Sequence, residues 1–273
     1  EGFSALFNMQ TGLFQSLKYA GKEMIHENNG FQLNWYRSID NDRYTDQAYH
    51  PTSYRRPMVS YKVDENGKYV TLSVMNNADI QWKNPVTIHY SVRYTVYSNG
   101  VIDVDADFTK PDRADIVRRL GLQIVLPHDF EHIQYYGYGP HENAVDRIQS
   151  AYVGLYNTTP KEMEAEHYVR TQTMGNREDI RWVSLTDTQG SGLKITSKDK
   201  FSFSALHFRD NELVEATHDF NLDKIRKPEI YLNIDCIQQG LGNASCGPLP
   251  LDKYMIPVNS PVSFSFRIEP EGK

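Results

Sequence analysis

Apolar residues occupy every second position along Ile88, Tyr90, Val92, Tyr94 and Val96, with polar residues between them. After Ser98-Asn99-Gly100 the alternation resumes at Ile102, Val104, Ala106 and Phe108. Successive side chains of a strand point to opposite faces, so a period of two buries one face and wets the other. Asn-Gly supplies the positive φ that a tight hairpin turn requires. These residues are therefore expected to form a long β-hairpin with one buried face.

Similar short runs appear at Leu13–Tyr19, Tyr69–Met75, Leu120–Leu126, Ile180–Thr186, Lys200–Phe208, Glu229–Ile234 and Val262–Ile268. Turn residues separate them at Thr11-Gly12, Ala20-Gly21, Asn66-Gly67, Gln189-Gly190 and Asn259-Ser260-Pro261. Many strands with frequent turns predict antiparallel sheets packed face to face. The only helix candidates are short, around Thr159–Glu166 and Asn211–Ala216, and the polar stretch Asn41–Arg56 reads as one long loop that is functional or flexible. No repeat, low-complexity tract or linker interrupts the 273 residues, which predicts one all-β domain over 1–273. Aromatic residues make up 12% of the chain, 18 of them Tyr, which suits β structure and surfaces that stack on flat apolar faces such as sugar rings.

A formal charge of −6 argues against a nucleic-acid partner, which selects a basic face. No apolar run approaches the length needed to span a bilayer. The chain starts at Glu1 without methionine and enters a strand-like pattern (Phe3, Ala5, Phe7) at once, so it is expected to be a piece of a longer protein. Of the two cysteines, Cys236 shares strand parity with Leu232 and Ile234 and reads as a buried apolar residue, while Cys246 reads as a loop residue. The nine histidines show no metal-ligand spacing, and no phosphate loop, dinucleotide fingerprint or nucleophile elbow is present, so no cofactor is expected.

The densest polar cluster follows a Gly-Pro bend, Gly137-Tyr138-Gly139-Pro140-His141-Glu142-Asn143-Ala144-Val145-Asp146-Arg147. By itself it is either a binding loop on a rigid scaffold or an ordinary polar turn. Three more segments accompany it: Arg37-Ser38-Ile39-Asp40-Asn41-Asp42, Leu213-Val214-Glu215-Ala216-Thr217-His218, and Tyr231-Leu232-Asn233-Ile234-Asp235 followed by Gly240-Leu241-Gly242-Asn243. In this order they resemble the C-terminal β-sandwich domain of glycoside hydrolase family 2 β-galactosidases, over essentially the whole chain. The resemblance implies a large antiparallel β-supersandwich of the galactose-mutarotase-like type, with a broad concave sheet forming a sugar-sized cleft. It also implies that the remaining domains of a β-galactosidase chain are partners, and that carbohydrate is met through the intact enzyme.

Glycoside hydrolysis by the common route needs two carboxyl groups at a fixed separation. The family carries them on a (β/α)₈ barrel, and this chain lacks the strand–helix alternation of a barrel, so no catalytic residue is assigned to it and the fragment alone is expected to be inactive. The family's Gly-rich loop borders the active site with a Trp on which the aglycone sugar stacks. Here Gly242, Asn243, Ser245 and Cys246 are the matching residues, with Cys246 in the tryptophan's place. Backbone groups, Ser245 or Tyr254 are then the candidates to replace it, unless the loop is merely a turn closing the last hairpin. In Gln172-Thr173-Met174-Gly175, Thr173 and Met174 replace a Glu and an Asn that face the cleft in the family, which implies millimolar or weaker sugar affinity. Arg177 and Arg181 either fork onto hydroxyls or pair with an aspartate such as Asp40 or Asp42. The candidate polar residues are therefore Arg37, Asp40, Asn41, Asp42, His141, Glu142, Asn143, Asp146, Arg147, Gln172 and Arg177, with the Arg37–Asp42 and His141–Arg147 loops expected on one edge. His141 and Glu142 are the nearest acid–base pair for mutarotation, but neighbours in an extended segment point apart. Two other roles stay open: a stand-alone carbohydrate-binding or aldose-epimerase-like module, and a structural module for interdomain or homo-oligomer packing.

Overall fold

A computed structural model of the chain describes residues 2–39, 42, 50–81, 85–109, 117–244, 246–256 and 261–272. Asp40, Asn41 and Ser245 lie outside the described residues. The first strands are β1 (Phe3–Asn8), β2 (Leu13–Tyr19), β3 (Lys22–Glu23), β4 (Gln32–Asn34), β5 (Thr52–Tyr54), β6 (Met58–Val63), β7 (Tyr69–Ile80) and β8 (Val86–Tyr97). There follow β9 (Ile102–Phe108), β10 (Arg119–Leu126), β11 (His132–Gly139), β12 (Tyr152–Thr158), β13 (Arg177–Thr186), β14 (Gly192–Leu206), β15 (Ile230–Gln238) and β16 (Val262–Glu271).

The hairpin forms in the expected register, with Tyr94 opposite Val104 and Gly100 at φ 89° in its turn. Ile88, Val92 and Tyr94 are buried together with Ile102, Val104, Ala106 and Phe108. The opposite face carries the ion pair Arg93–Asp105 and, on the neighbouring strand β16, Arg267–Asp103. Every strand pair among the described residues is antiparallel.

Strands β1-β2-β3 make a small sheet, and the other thirteen make a large one. Its main path runs β12-β11-β13-β14-β16-β9-β8-β7-β5, with β6 also on β7. Strand β14, 15 residues long, is where the sheet divides. Its first half pairs β16, while its second half pairs β15, which continues to β10 and β4. That division folds the sheet over a shared core. Phe14 of the small sheet meets Tyr94 of β8 edge-on at 5.0 Å, and Phe31 lies 5.8 Å from Phe266 of β16. Each such ring contributes about 1.5–3 kcal/mol by leaving water.

Three expectations change. The helix candidates are single 3-10 turns, Glu162–Glu164 and Asp210–Val214, because each segment spans too few residues to repeat an α-helical bond ladder. Within the stretch read as one loop, Thr52–Tyr54 forms β5 on β7. Cys236 is half-buried against the core, since a bulge at Leu120/Gly121 shifts the pairing beside it, and both cysteines are free thiols. No helix among the described residues is long and apolar enough to cross a membrane.

Candidate functional site

The polar residues of the first sequence motif end on a backbone. Arg37, 3% exposed, follows β4 and forks onto Asp42, with Nε to Oδ2 at 2.7 Å and Nη2 to Oδ1 at 2.9 Å. Its remaining hydrogens go to the carbonyls of Gln239 and Gly240, the latter at 3.1 Å. Arg118 donates to the Gln239 side-chain oxygen at 2.9 Å and lies 3.8 Å from Asp42. A buried pair is tolerated when further hydrogen bonds saturate it, and here they do so by holding residues 239 and 240.

The second motif holds the next two residues. Asp146 accepts from the N–H of Leu241 at 2.9 Å and of Gly242 at 2.8 Å, and Arg147 donates to the Gly242 carbonyl at 2.8 Å. The Gly240 N–H donates to the Tyr254 carbonyl at 2.8 Å. A Cβ on Gly240 would stand 2.8 Å from Asp146 Cγ and 3.0 Å from Tyr254 Cβ, so the clamp requires glycine there. Beyond it, Asn243, Cys246, Leu249 and Leu251 are exposed, and the Asn243 carbonyl accepts from Cys246 at 3.0 Å in a tight turn.

The bend at Gly139-Pro140, a cis peptide, turns the same loop onto residues 175–178. Glu142 accepts from Tyr168 Oη and from the Gly175 N–H, both at 2.7 Å. Asn143 Oδ1 accepts from the Glu178 N–H at 2.8 Å, and the Asn143 carbonyl accepts from Asn176 at 2.9 Å. Burial pushes the Glu142 carboxyl above its ordinary range despite those two donors. Burial, then the nearby Asp235 charge, push the half-buried Glu178 up to about 7, against the Asn176 amide that favours its ionised form.

The structure therefore gathers Arg37, Asp42, Asp146 and Arg147 around residues 239–242, and links Glu142 and Asn143 to them through the 173–178 segment. His141 stands apart, exposed, with Nε2 3.0 Å from Ser150 Oγ. Two readings are corrected. Asp42 belongs to Arg37 and Arg118, whereas Arg177 donates to Tyr135 Oη at 3.3 Å and to the Gly175 and Asn176 carbonyls at 3.2 Å. Arg181 lies 3.8 Å from Asp179 and over the Tyr136 ring. Thr173 and Met174 do not face a cleft. Met174 lies in the core, and Thr173 Oγ1 accepts from the Ser38 N–H at 2.7 Å. Gln172 is half-buried beside them.

A second polar assembly went unread in the sequence. Arg119, fully buried on β10, donates through Nε to Asp235 of β15 at 2.9 Å and through Nη1 to Asp210. Burial pushes the Asp235 carboxyl up to about 6, against the pull of Arg119. On the same sheet face, Asn233 Oδ1 accepts from Gln123 at 2.6 Å and from Asn34 at 3.1 Å, and Asn233 donates to Ser204 at 2.9 Å. The signal was the Leu-Asn-Ile-Asp alternation, whose polar face is covered instead of wet. Gln32, Asn34, Trp35, Thr52, Tyr54, Gln123, Arg209, Asp210 and Asn211 border a cavity of about 150 Å³ over this face. No cluster of three or more His, Cys, Asp or Glu suited to a metal ion occurs among the described residues.

A family model described as the β-galactosidase small chain matches residues 1–268. A β-galactosidase of Halalkalibacterium halodurans is 28% identical over 98% of this chain, which covers 27% of that protein. One from Lactobacillus delbrueckii subsp. bulgaricus is 32% identical over 81% of this chain and 22% of its own length. The chain thus spans about a quarter of the length of the curated relatives it matches. A solved structure described as a putative aldose 1-epimerase from Escherichia coli K12 superposes with a TM-score of 0.50 at 9% identity, covering 100% of this chain and 97% of that one. That likeness shows the fold alone, an antiparallel sandwich of the mutarotase-like type.

Proposed function

Since this chain belongs to the β-galactosidase small-chain family and corresponds to one domain of such enzymes, we propose that it completes one edge of the substrate site in a longer enzyme that hydrolyses terminal β-galactosides. The observation that carries this reading is the clamp on residues 239–242. Arg37, Asp146 and Arg147 direct their polar atoms at main-chain groups, so their task is to fix a loop and not to meet a ligand. A surface loop held by charge-assisted bonds from two other loops loses conformational entropy, which is expected where a neighbouring site needs an edge in one position. The segment just beyond presents Asn243 and Cys246, and Leu249 and Leu251 are 45% and 65% exposed. Exposed apolar side chains beside a rigid loop suit coverage by another domain of the same enzyme.

The hydrolytic carboxyl pair belongs, in this reading, to the remainder of the enzyme, and carbohydrate meets this domain only at the edge. The test compares the full-length enzyme, a version lacking this domain, and this domain alone on a chromogenic galactoside. Only the full-length enzyme should turn over, and Asp146→Asn within it should raise KM more than it lowers kcat. Turnover that co-purifies with this domain alone, or full activity without it, overturns the assignment.

A further inference from the structure

We propose that the free edge of β12 is an interface between two copies of this chain, which pair their Tyr152–Thr158 strands antiparallel about a two-fold axis at Leu155. This pairing does not depend on the loop clamp or on hydrolysis.

Among the described residues, β1, β3, β4, β5, β6 and β12 each pair with one strand only. An open edge presents unpaired backbone groups, and soluble proteins blunt such edges by shortness, bulges, charge or proline. Here β3, β4 and β5 span two or three residues, β1 is interrupted by a bulge at Leu6/Phe7, and β6 carries an exposed Lys62. Strand β12 has none of these devices. Its seven residues, Tyr-Val-Gly-Leu-Tyr-Asn-Thr, hold no charge and no proline, and its register on β11 runs without a shift. The Tyr152 carbonyl accepts from Tyr156 Oη at 2.9 Å, and from Val153 onward the strand meets no further strand among the described residues.

The sheet face beside that edge is apolar. Leu155 stands opposite Tyr136, which stands opposite Trp182 of β13, and Val153 stands opposite Tyr138. Leu155 is 59% exposed, Val153 41% and Tyr136 40%. An exposed apolar row running across three strands to an open edge marks a contact surface. A second copy of β12 is the complement of the first. Pairing about Leu155 sets Leu155 on its symmetry mate, Val153 on Asn157, Gly154 on Tyr156 and Tyr152 on Thr158, so no charge meets a like charge. The apolar row then runs unbroken over six strands. Arg181 lies over the Tyr136 ring and Lys194 over Trp182, both set back from the edge. The two copies of Arg181 would stand about three strand spacings apart, roughly 14 Å, beyond the ~10 Å over which charges act at 0.1 M salt.

Analytical ultracentrifugation of the 273-residue chain should show a monomer–dimer equilibrium at micromolar concentration. Leu155→Lys sets two ammonium groups face to face and should raise the dissociation constant at least about ten-fold, while the circular dichroism stays that of a folded chain. Met58→Lys, at a residue 67% exposed on the β6 edge, should leave the dissociation constant unchanged. In a Cys246→Ser background, Leu155→Cys should oxidise to an intermolecular disulfide, because residues paired across strands hold their Cα atoms about 4.5–5.5 Å apart. A monomer up to about 100 μM overturns the proposal, and is the result expected if a strand from another part of a longer enzyme covers this edge instead. A dimer that survives Leu155→Lys, one lost equally in Met58→Lys, or failure of Leu155→Cys to cross-link also overturns it.

Discussion

Arg119→Met separates the buried charge network into its parts. In the native chain one guanidinium faces Asp235 at 0% exposure and Asp210 at 6%, so its removal strands two carboxylates beneath the sheet. Breaking a buried pair costs about 3–5 kcal/mol, so about 4 kcal/mol is expected at pH 8. The pH dependence follows from Asp235, whose folded pKa of about 6 already lies above its ordinary value because of burial. A carboxyl raised in this way contributes stability below its unfolded pKa and loses it as pH climbs through the folded pKa. Without Arg119 the folded pKa rises further, so the variant recovers more than the wild type on acidification. The recovery between pH 8 and pH 5 is therefore larger in the variant than in the wild type. Urea denaturation should therefore show a deficit of about 4 kcal/mol at pH 8 that shrinks at pH 5. Combining Arg119→Met with Asp210→Asn and Asp235→Asn should restore more than half of the loss at pH 8. A deficit under about 1 kcal/mol at pH 8, or one that does not change with pH, would refute the reasoning.

Glu178 titrates in the same direction, from its ordinary range up to about 7 because of burial, so its stabilising contribution is lost as pH rises toward 8. Glu178→Gln keeps the acceptor for Asn176 and should gain about 1–2 kcal/mol at pH 8 with little change at pH 5; equal stability at both pH values would show that the carboxylate is well solvated. The two thiols should react in two steps with a disulfide reagent: exposed Cys246 at once, and Cys236, pushed up to about 12 by burial, only after unfolding. A single rate for both would contradict the packing of Cys236. Within the full-length enzyme, Cys246→Trp should lower KM for lactose about five-fold by adding a stacking face worth about 1 kcal/mol, and an unchanged KM would remove this loop from the substrate edge.

Much of the architecture is local and therefore readable. The alternation from Ile88 to Phe108 fixes the strands, their buried face and the turn, because side-chain parity depends only on neighbours along the chain. β2 runs from Leu13 to Tyr19 as its apolar spacing indicates. The short strand Thr52–Tyr54 is the counter-example. It carries no alternation of its own and exists because β7 offers it a free edge.

The site divides along the same line. Sequence alone singled out Arg37, Asp42, Glu142, Asn143, Asp146 and Arg147 as a concentration of polar groups on Gly-rich bends. It could not say that Arg37 reaches the backbone at Gly240, or that Asp146 reaches Leu241, because those contacts join residues far apart in the chain. Nor could it say that Thr173 and Met174 turn inward, or that Asn34, Gln123 and Arg119 bond the polar side of Leu-Asn-Ile-Asp from neighbouring strands. Periodicity states that one face of a strand is apolar; whether the other face meets water or a second layer is decided by which distant segment crosses it. That crossing is set by the division of the sheet at β14, and it is what buries Arg119 between two aspartates.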